Sequence, residues 1–242
     1  MRCRTWTMPI CRDWKLSAAS WPVCPKQLIS HRSRSIRPPP CPERRWSWRV
    51  KRWLDIAGAA LLLVCLSPII VLAMGAILVS SGRPVLHLAK RWGRNDRQFI
   101  CYKLRTMHLD GDAVLKAHGL ATRGANGETL TYDRDPRIGP LGRLLRRLSI
   151  DELPQLINVL RGDMSLIGPR ALVISMLADL PDIRHARSVV RPGLTGLWQV
   201  RARRKNVSVF DMIDDDLEYI RTFSLWLDLR IALLTISRIV GP

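Results

Sequence analysis

Two adjacent carboxylates, Asp151 and Glu152, lie within the densest group of chemically capable residues in the chain. The stretch 141–170 surrounds them with guanidinium groups, at Arg143, Arg146, Arg147, Arg161 and Arg170. Guanidinium groups bind phosphate oxygens bidentately, and a carboxylate pair can supply a nucleophile and a Mg²⁺ ligand. The pattern is compatible with a phosphoryl-transfer site.

A purely structural interpretation fits the same residues. Ser149 and Glu152 match a capping box, in which Glu152 would only bind the backbone N–H of Ser149. Pro154 instead favours a helix that begins at the proline and leaves both acids just outside it. In either register the carboxylates lie at a helix N-terminus, whose dipole favours the ionised form by roughly 0.3–1 kcal/mol. We therefore expect an anionic Asp151, while catalysis and capping both remain open.

Two further segments could contribute to such a site. Lys103 and Arg105 follow a strand candidate at 99–102, and side chains at i and i+2 of a strand point to the same face. They could jointly clamp a diphosphate or form an ordinary surface pair. Downstream, the loop 191–196 contains two glycines that permit close backbone approach to a ligand, although ordinary turns look the same.

The charge of the chain is strongly positive and unevenly distributed. The chain has 39 Lys and Arg against 20 Asp and Glu, a net charge of +19, which favours a membrane surface, nucleic acid or phosphorylated substrate as partner. Residues 1–45 are rich in basic residues, Pro, Trp and Cys without helical or strand periodicity, so we predict a disordered basic tail. This tail also allows an alternative function, that of a membrane-tethered protein binding nucleic acid or anionic lipid, whose affinity would fall steeply with salt.

The segment 46–82 contains an uncharged run that predicts membrane insertion. Residues 56–82 can span roughly 30 Å of hydrocarbon as a helix, although a buried core helix is an alternative. Proline at position 68, after Ser67, should kink the helix. Basic residues flank both ends, so the positive-inside rule places both ends in the cytoplasm. A re-entrant helix satisfies both observations, whereas a kinked, fully spanning helix satisfies the first.

The remaining segment, 83–242, lacks the alternating strand and helix pattern of a doubly wound sheet. We predict an α+β fold: a kinked re-entrant membrane helix followed by a small, mostly helical cytosolic catalytic domain with interfacial amphipathic helices. The apolar stretch 223–240, interrupted by Asp228 and Arg230, fits a helix in the lipid headgroup region, and a terminal core helix is the alternative.

In order along the chain, these motifs closely resemble the bacterial sugar transferases of the monotopic phosphoglycosyl transferase superfamily. The resemblance covers roughly 50–240. The matching stretches are Lys51-Arg52-x-x-Asp55, Ser67-Pro68, Arg91-x-Gly93, Lys103-x-Arg105-Thr106-Met107, Asp135-Pro136-Arg137-Ile138, the run from Leu145 to Leu160, Gly162 to Arg170, Pro192-Gly193-x-Thr195-Gly196-x-x-Gln199-Val200, and Tyr219 with Ser224 and Asp228.

The resemblance implies a function and its residues. Asp151 would attack the sugar-linked phosphorus of a UDP-sugar, release UMP and pass the phosphosugar to polyprenyl phosphate, with Glu152 as the Mg²⁺ ligand. The substrate-binding residues predicted with it are Lys103, Arg105, Arg146, Arg147, Gln155, Asn158, Arg170, Thr195 and Arg203. Ser67 and Pro68 would break a re-entrant helix. The expected partners are UDP-sugar, polyprenyl phosphate and lipid of the bacterial inner membrane at its cytoplasmic face, with no nucleic acid.

Three positions depart from the family pattern. Asp96 replaces a glycine of the Arg-x-Gly-x-x-Gly motif, Ala171 replaces a proline, and Ala202 stands where a glycine usually precedes Arg203. These changes concern loop geometry and sugar preference rather than a proposed catalytic group.

Overall fold

The computed structural model describes residues 45–120, 135–178, 180–201 and 209–240. Nearly all of the predicted tail, and Arg203 among the site residues, lie outside these ranges. The described helices are α1 (Arg45–Ser81), α2 (Gly111–Ala117), α3 (Pro140–Arg147), α4 (Gln155–Arg161), α5 (Pro181–Ser188), α6 (Leu197–Arg201), α7 (Val209–Thr222) and α8 (Leu225–Val240). Short 3₁₀ turns cover Arg94–Asp96, Ile150–Glu152 and Ile174–Leu177.

Four short strands form two small sheets. Strands β1 (Leu86–Trp92) and β2 (Gln98–Leu104) pair antiparallel, and β3 (Ser165–Ile167) pairs parallel with β4 (Gly193–Thr195). Gly193 permits this second pairing, because a Cβ there would lie 2.1 Å from the backbone nitrogen of Gly168. The glycines of this loop were expected to permit close approach of the backbone to a ligand. Gly193 instead permits close approach to the backbone of Gly168. A mostly helical fold with small sheets agrees with the predicted α+β class.

Helix α1 is the one described helix that is long and apolar enough to cross a membrane. Its middle is largely free of protein contact, and its exposed apolar side chains include Leu61, Leu62, Val64, Ile69, Val71 and Leu72. Ala59, before Pro68, packs in a cluster with Leu156 and Val159 of α4. Ala73, after the proline, packs with Leu104 and Leu145. Both parts of α1 therefore pack against the rest of the described domain, whereas most of the apolar side chains between them are exposed.

A buried polar network joins the start of α1 to α8. Lys51 Nζ donates to Asp228 Oδ2 at 2.7 Å and lies 3.7 Å from Asp55. Tyr219 on α7 donates to Asp228 Oδ1 at 2.7 Å, and Asp55 accepts from the Leu166 amide at 3.0 Å. Burial raises the pKa of Asp228, while Lys51 opposes the shift.

Helix α8 has two different faces. Ile231 and Asp228 are buried against the domain, whereas the exposed fraction is 73% for Trp226 and 59% for Leu233. The buried face is that of a terminal core helix, and the exposed apolar face is that of a helix lying at a lipid interface. The two interpretations of this segment therefore describe different faces of one helix.

Candidate active site

The two carboxylates lie in the 3₁₀ turn Ile150–Glu152, directly before α4. The capping box, one of the two alternatives left open, is not formed: Ser149 has a left-handed backbone with φ of 56°, and its side chain makes no capping hydrogen bond. Helix α4 begins at Gln155, with Pro154 as its N-cap, close to the proline-led register. The Glu152 side chain is consequently free of a capping role.

Asp151 is a buried carboxyl group among charges of both signs. It keeps 8% of its surface exposed. Burial raises its pKa above the usual range, Lys103 lowers it, Glu152 raises it and Arg146 lowers it. The expectation of an anionic Asp151 took account of the helix dipole and not of desolvation, which is the largest influence on its pKa and favours the protonated form.

Glu152 faces a polar cleft and pairs there with Lys103. Lys103 Nζ donates to Glu152 Oε1 at 2.5 Å, and the exposed fractions of the two side chains are 20% and 23%. The cleft, of about 310 Å³, is also lined by Arg91, Gln155 and Arg170. Three cationic side chains thus face one carboxylate in the lining, an excess of positive charge suited to a phosphate-bearing ligand.

Arg146 and Arg147 differ in their influence on Asp151. Arg146 Nε donates to Thr106 Oγ1 at 2.8 Å, and its charge lowers the pKa of Asp151. Arg147 is exposed on α3 and does not line the cleft. Both arginines are exposed and neither lines the cleft, but the charge of Arg146 acts on Asp151.

Arg105 does not join Lys103 in a clamp. Strand β2 ends at Leu104, and the Arg105 guanidinium donates to the carbonyls of Ser81, Gly82 and Arg83 at 2.6, 2.7 and 3.2 Å. The carbonyls at the end of a helix lack partners within the helix, so they attract a buried cation. The structure therefore corrects the predicted cleft position of Arg105.

The side chains of Asn158 and Thr195 also form hydrogen bonds to other elements of the fold. Asn158 is fully buried, accepts from the Tyr102 amide at 3.0 Å and donates to the Ile100 carbonyl at 2.7 Å, so it ties α4 to β2. Thr195 Oγ1 lies 2.8 Å from Thr235 Oγ1 of α8. Neither residue lines the cleft, in contrast to its predicted role.

Arg170 is held in the cleft by residues for which no role was predicted. Arg187 Nη2 donates to the Arg170 carbonyl at 2.7 Å, and Asp216 Oδ1 accepts from the Arg170 amide at 3.3 Å. Arg187 and Asp216 form an ion pair with each other. Burial raises the pKa of Asp216 to about 6, against the influence of Arg187. The Arg170 guanidinium lies over the Trp198 ring, 4.5 Å from its centroid.

The sequence did carry weak signals for some of these residues. Asp216 shares a helical face with buried Met212, Ile213 and Leu217, and an acid on an apolar face usually has a buried partner. Arg91 belonged to a matched motif without an assigned role. Arg91 pairs with Phe99, so its place in the same cleft lining as Lys103 follows only once β1 and β2 are paired.

Comparison with known proteins identifies the family. The family model for bacterial sugar transferases matches residues 46–242. The chain is 39% identical to the exopolysaccharide production protein ExoY of Sinorhizobium fredii over 78% of this chain and 84% of that protein. It is 42% identical to a UDP-glucose:undecaprenyl-phosphate glucose-1-phosphate transferase of Caulobacter vibrioides, over 78% of this chain and 69% of that protein.

The lengths of the relatives differ. An undecaprenyl-phosphate glucose phosphotransferase of Komagataeibacter xylinus is 39% identical over 81% of this chain but only 37% of that protein. The shared part is thus the segment that contains α1, the carboxylate pair and the cleft. With a family match over most of its length, the chain belongs to the bacterial sugar transferase family.

Proposed function

We propose that this protein transfers a sugar phosphate from a UDP-sugar to polyprenyl phosphate at the cytoplasmic face of the bacterial inner membrane. The observation that carries the proposal is the placement of Asp151 beside Glu152, Lys103 and Arg146, next to a cleft whose lining has an excess of positive charge. Two relatives support the substrates, since one is an undecaprenyl-phosphate glucose phosphotransferase and the other a UDP-glucose:undecaprenyl-phosphate glucose-1-phosphate transferase.

The reaction proceeds in two displacements on one phosphorus atom. In the first, an oxygen of the ionised Asp151 bonds to the sugar-linked phosphorus, the bond from that phosphorus to the bridging oxygen breaks, and UMP leaves. In the second, an oxygen of polyprenyl phosphate bonds to the same phosphorus and the acyl phosphate bond breaks. The products are polyprenyl diphosphosugar and the free Asp151 carboxylate.

The cationic side chains bind and orient the donor in this scheme. Lys103 and Arg170 contact the diphosphate in the cleft, while Lys103 and Arg146 lower the pKa of Asp151 against the effect of burial. A ligand phosphate competes with Glu152 for Lys103, so donor binding releases Glu152 from its ion pair. The released carboxylate is then available to a metal ion.

The residues present fit a Mg²⁺ ion to which the protein supplies few ligands. The described residues contain no group of three or more His, Cys, Asp and Glu side chains that could hold a metal. Mg²⁺ is commonly bound by one or two carboxylates together with substrate phosphates and water, which suits Glu152. When bound, the ion would neutralise charge on the phosphate oxygens.

We also propose that α1 is re-entrant. Support comes from the packing of Ala59 and Ala73 against one soluble domain, with exposed apolar residues around Pro68 between them. Single cysteines at 47 and 82 in a cysteine-free variant can be labelled with an impermeant maleimide. Labelling of both from the cytoplasmic side is expected, and labelling from opposite sides would contradict re-entry.

The function is tested with the full chain in membranes containing polyprenyl phosphate. A panel of UDP-glucose, UDP-galactose and UDP-N-acetylglucosamine should reveal at least one donor that yields UMP and a lipid diphosphosugar. Asp151→Asn should lower turnover by roughly three orders of magnitude or more, since removal of a nucleophile leaves only binding contributions. Full turnover by this variant would exclude Asp151 as the nucleophile.

A further inference from the structure

A second cavity lies at the opposite end of α4 from the carboxylate pair. We name this open pocket the collar cavity, and its lining includes Trp48, Lys51, Arg52, Asp55, Arg94 and Arg191. Arg52 donates to the Val159 carbonyl at 2.8 Å, and Arg191 donates to the Gly162 carbonyl at 2.8 Å. These carbonyls mark the C-terminal end of α4, whereas Asp151 precedes its first residue. The collar cavity is therefore distinct from the donor cleft.

The charges around the collar cavity do not balance. Lys51 is shared between two buried acids, Asp228 and Asp55, so this group of three carries one net negative charge when the acids are ionised. The guanidinium groups of Arg52, Arg94 and Arg191 add three positive charges. The cavity and its immediate supports thus carry a net charge of about +2 from these groups.

The guanidinium groups also keep hydrogen-bond donors available. Arg191 uses Nε for the Gly162 carbonyl, and its two terminal nitrogens have no hydrogen bond within the described residues. Arg94 is exposed, and the described part of the chain provides its side chain with no hydrogen bond or ion pair. Burial lowers the pKa of Arg191, and the nearby charges of Arg52 and Arg94 lower it further. An anion between these groups would relieve their mutual repulsion.

The position along α1 indicates where such an anion would come from. Trp48, Lys51, Arg52 and Asp55 occupy the turns directly before Ile56, where the uncharged run begins. The Trp48 ring stacks on Phe223, with 4.0 Å between centroids. Tryptophan and basic residues in this position are typical of the headgroup region of a bilayer. The collar cavity therefore lies at the depth of lipid phosphates if α1 is inserted.

We propose that the collar cavity binds one phosphate group, without taking part in the chemistry, through Arg94 and Arg191. The chemistry of the site fits the phosphodiester of an anionic lipid headgroup or a free phosphate. Binding requires neither Asp151 nor the donor cleft, so it stands apart from the proposed transfer reaction.

Arg94→Gln tests the proposal, because the described structure shows no contact that the substitution would break. Arg97→Gln is the matched control: it removes the same charge three residues away, from an exposed side chain outside the cavity lining. The full chain in neutral detergent is titrated with phosphatidylglycerol, with phosphatidylcholine and with inorganic phosphate. Bound lipid is counted by native mass spectrometry, and thermal unfolding reports phosphate binding.

Two results together indicate that the phosphate comes from a lipid. One molecule of phosphatidylglycerol binds more tightly than phosphatidylcholine, and Arg94→Gln weakens phosphatidylglycerol binding about fivefold while Arg97→Gln does not. The free-phosphate source is indicated if Arg94→Gln instead removes stabilisation by inorganic phosphate. Asp151→Asn should bind as the wild type does, which separates this result from failure of the transferase proposal. Equal effects of the two arginine variants on both probes, or no binding of either probe to the wild type, would overturn the proposal.

Discussion

Two ion pairs lie on the two sides of Arg170, and their surroundings differ. The pair Arg187–Asp216 holds the Arg170 backbone, and the exposed fractions of its side chains are 5% and 0%. The pair Lys103–Glu152 shares the cleft with the Arg170 guanidinium and is about one fifth exposed. A fully buried pair cannot lose one partner without leaving an unpaired charge, whereas a partly hydrated pair can exchange a partner for a ligand. The first pair is therefore suited to support, and the second to binding.

The largest expected effect is on the buried pair. Asp216→Ala should lower the free energy of unfolding by about 3–5 kcal/mol, because Arg187 would remain buried without its partner. Chemical denaturation of the detergent-solubilised chain measures this. Arg221→Ala, at an exposed position of the same helix, should change stability by about 0.5 kcal/mol or less. A loss below about 1 kcal/mol for Asp216→Ala would remove the contrast between the pairs.

The cleft pair should show the opposite behaviour. Lys103→Met should reduce kcat about 100-fold, as removal of a preorganised cationic donor typically does. The free energy of unfolding should change by about 1 kcal/mol or less, since the pair is partly exposed. UMP release and denaturation of the same preparation measure the two quantities. Arg221→Gln, an exposed cation on α7, should affect neither quantity, and a Lys103 variant that loses stability and activity together would indicate a structural pair.

Loss of the stacking of Arg170 on Trp198 should have a smaller effect than loss of either ion pair. Trp198→Ala should raise the KM for the UDP-sugar about two- to fivefold with little change in kcat, because a cation–π contact near the surface contributes about 0.5–1 kcal/mol. Trp198→Phe keeps a ring and should retain most of the affinity. Steady-state kinetics on both variants measure this. Identical KM values for the two variants would mean that the ring does not position Arg170.

The smallest effect concerns pH. Asp151 has a raised pKa and must be ionised to attack, so turnover should fall as the pH drops through that pKa. Arg146 lowers the pKa of Asp151, so Arg146→Gln should move this acid limb to higher pH. The kcat/KM profile against pH measures the shift. A shift to lower pH would contradict the assigned relation between the two groups.

The place of the carboxylate pair before α4 could be predicted because it is local. Asp151, Glu152 and Gln155 lie within five positions of each other, and Pro154 located the start of α4 closely. The long apolar helix was equally predictable, because an uncharged run of this length is typical of a helix that could cross a membrane. The family followed from the order of short motifs, which depends on no folding information.

The side-chain directions were harder to predict. Lys103 and Arg105 differ by only two positions, yet one reaches the cleft and the other caps α1, because β2 ends between them. Asn158 looked like a cleft residue, but the edge of β2 uses its amide. Such outcomes depend on unsatisfied backbone groups of distant elements, which a local pattern does not contain.

The sequence by itself determined the long apolar helix, the carboxylate pair before α4 and the family, because each depends on residue types at close spacing. Only the tertiary structure decided the charge environment of Asp151, the support of Arg170 by Asp216 and Arg187, and the collar cavity. Each of these brings together groups from distant parts of the chain. Burial and long-range pairing set their energies, and both arise only when the elements pack.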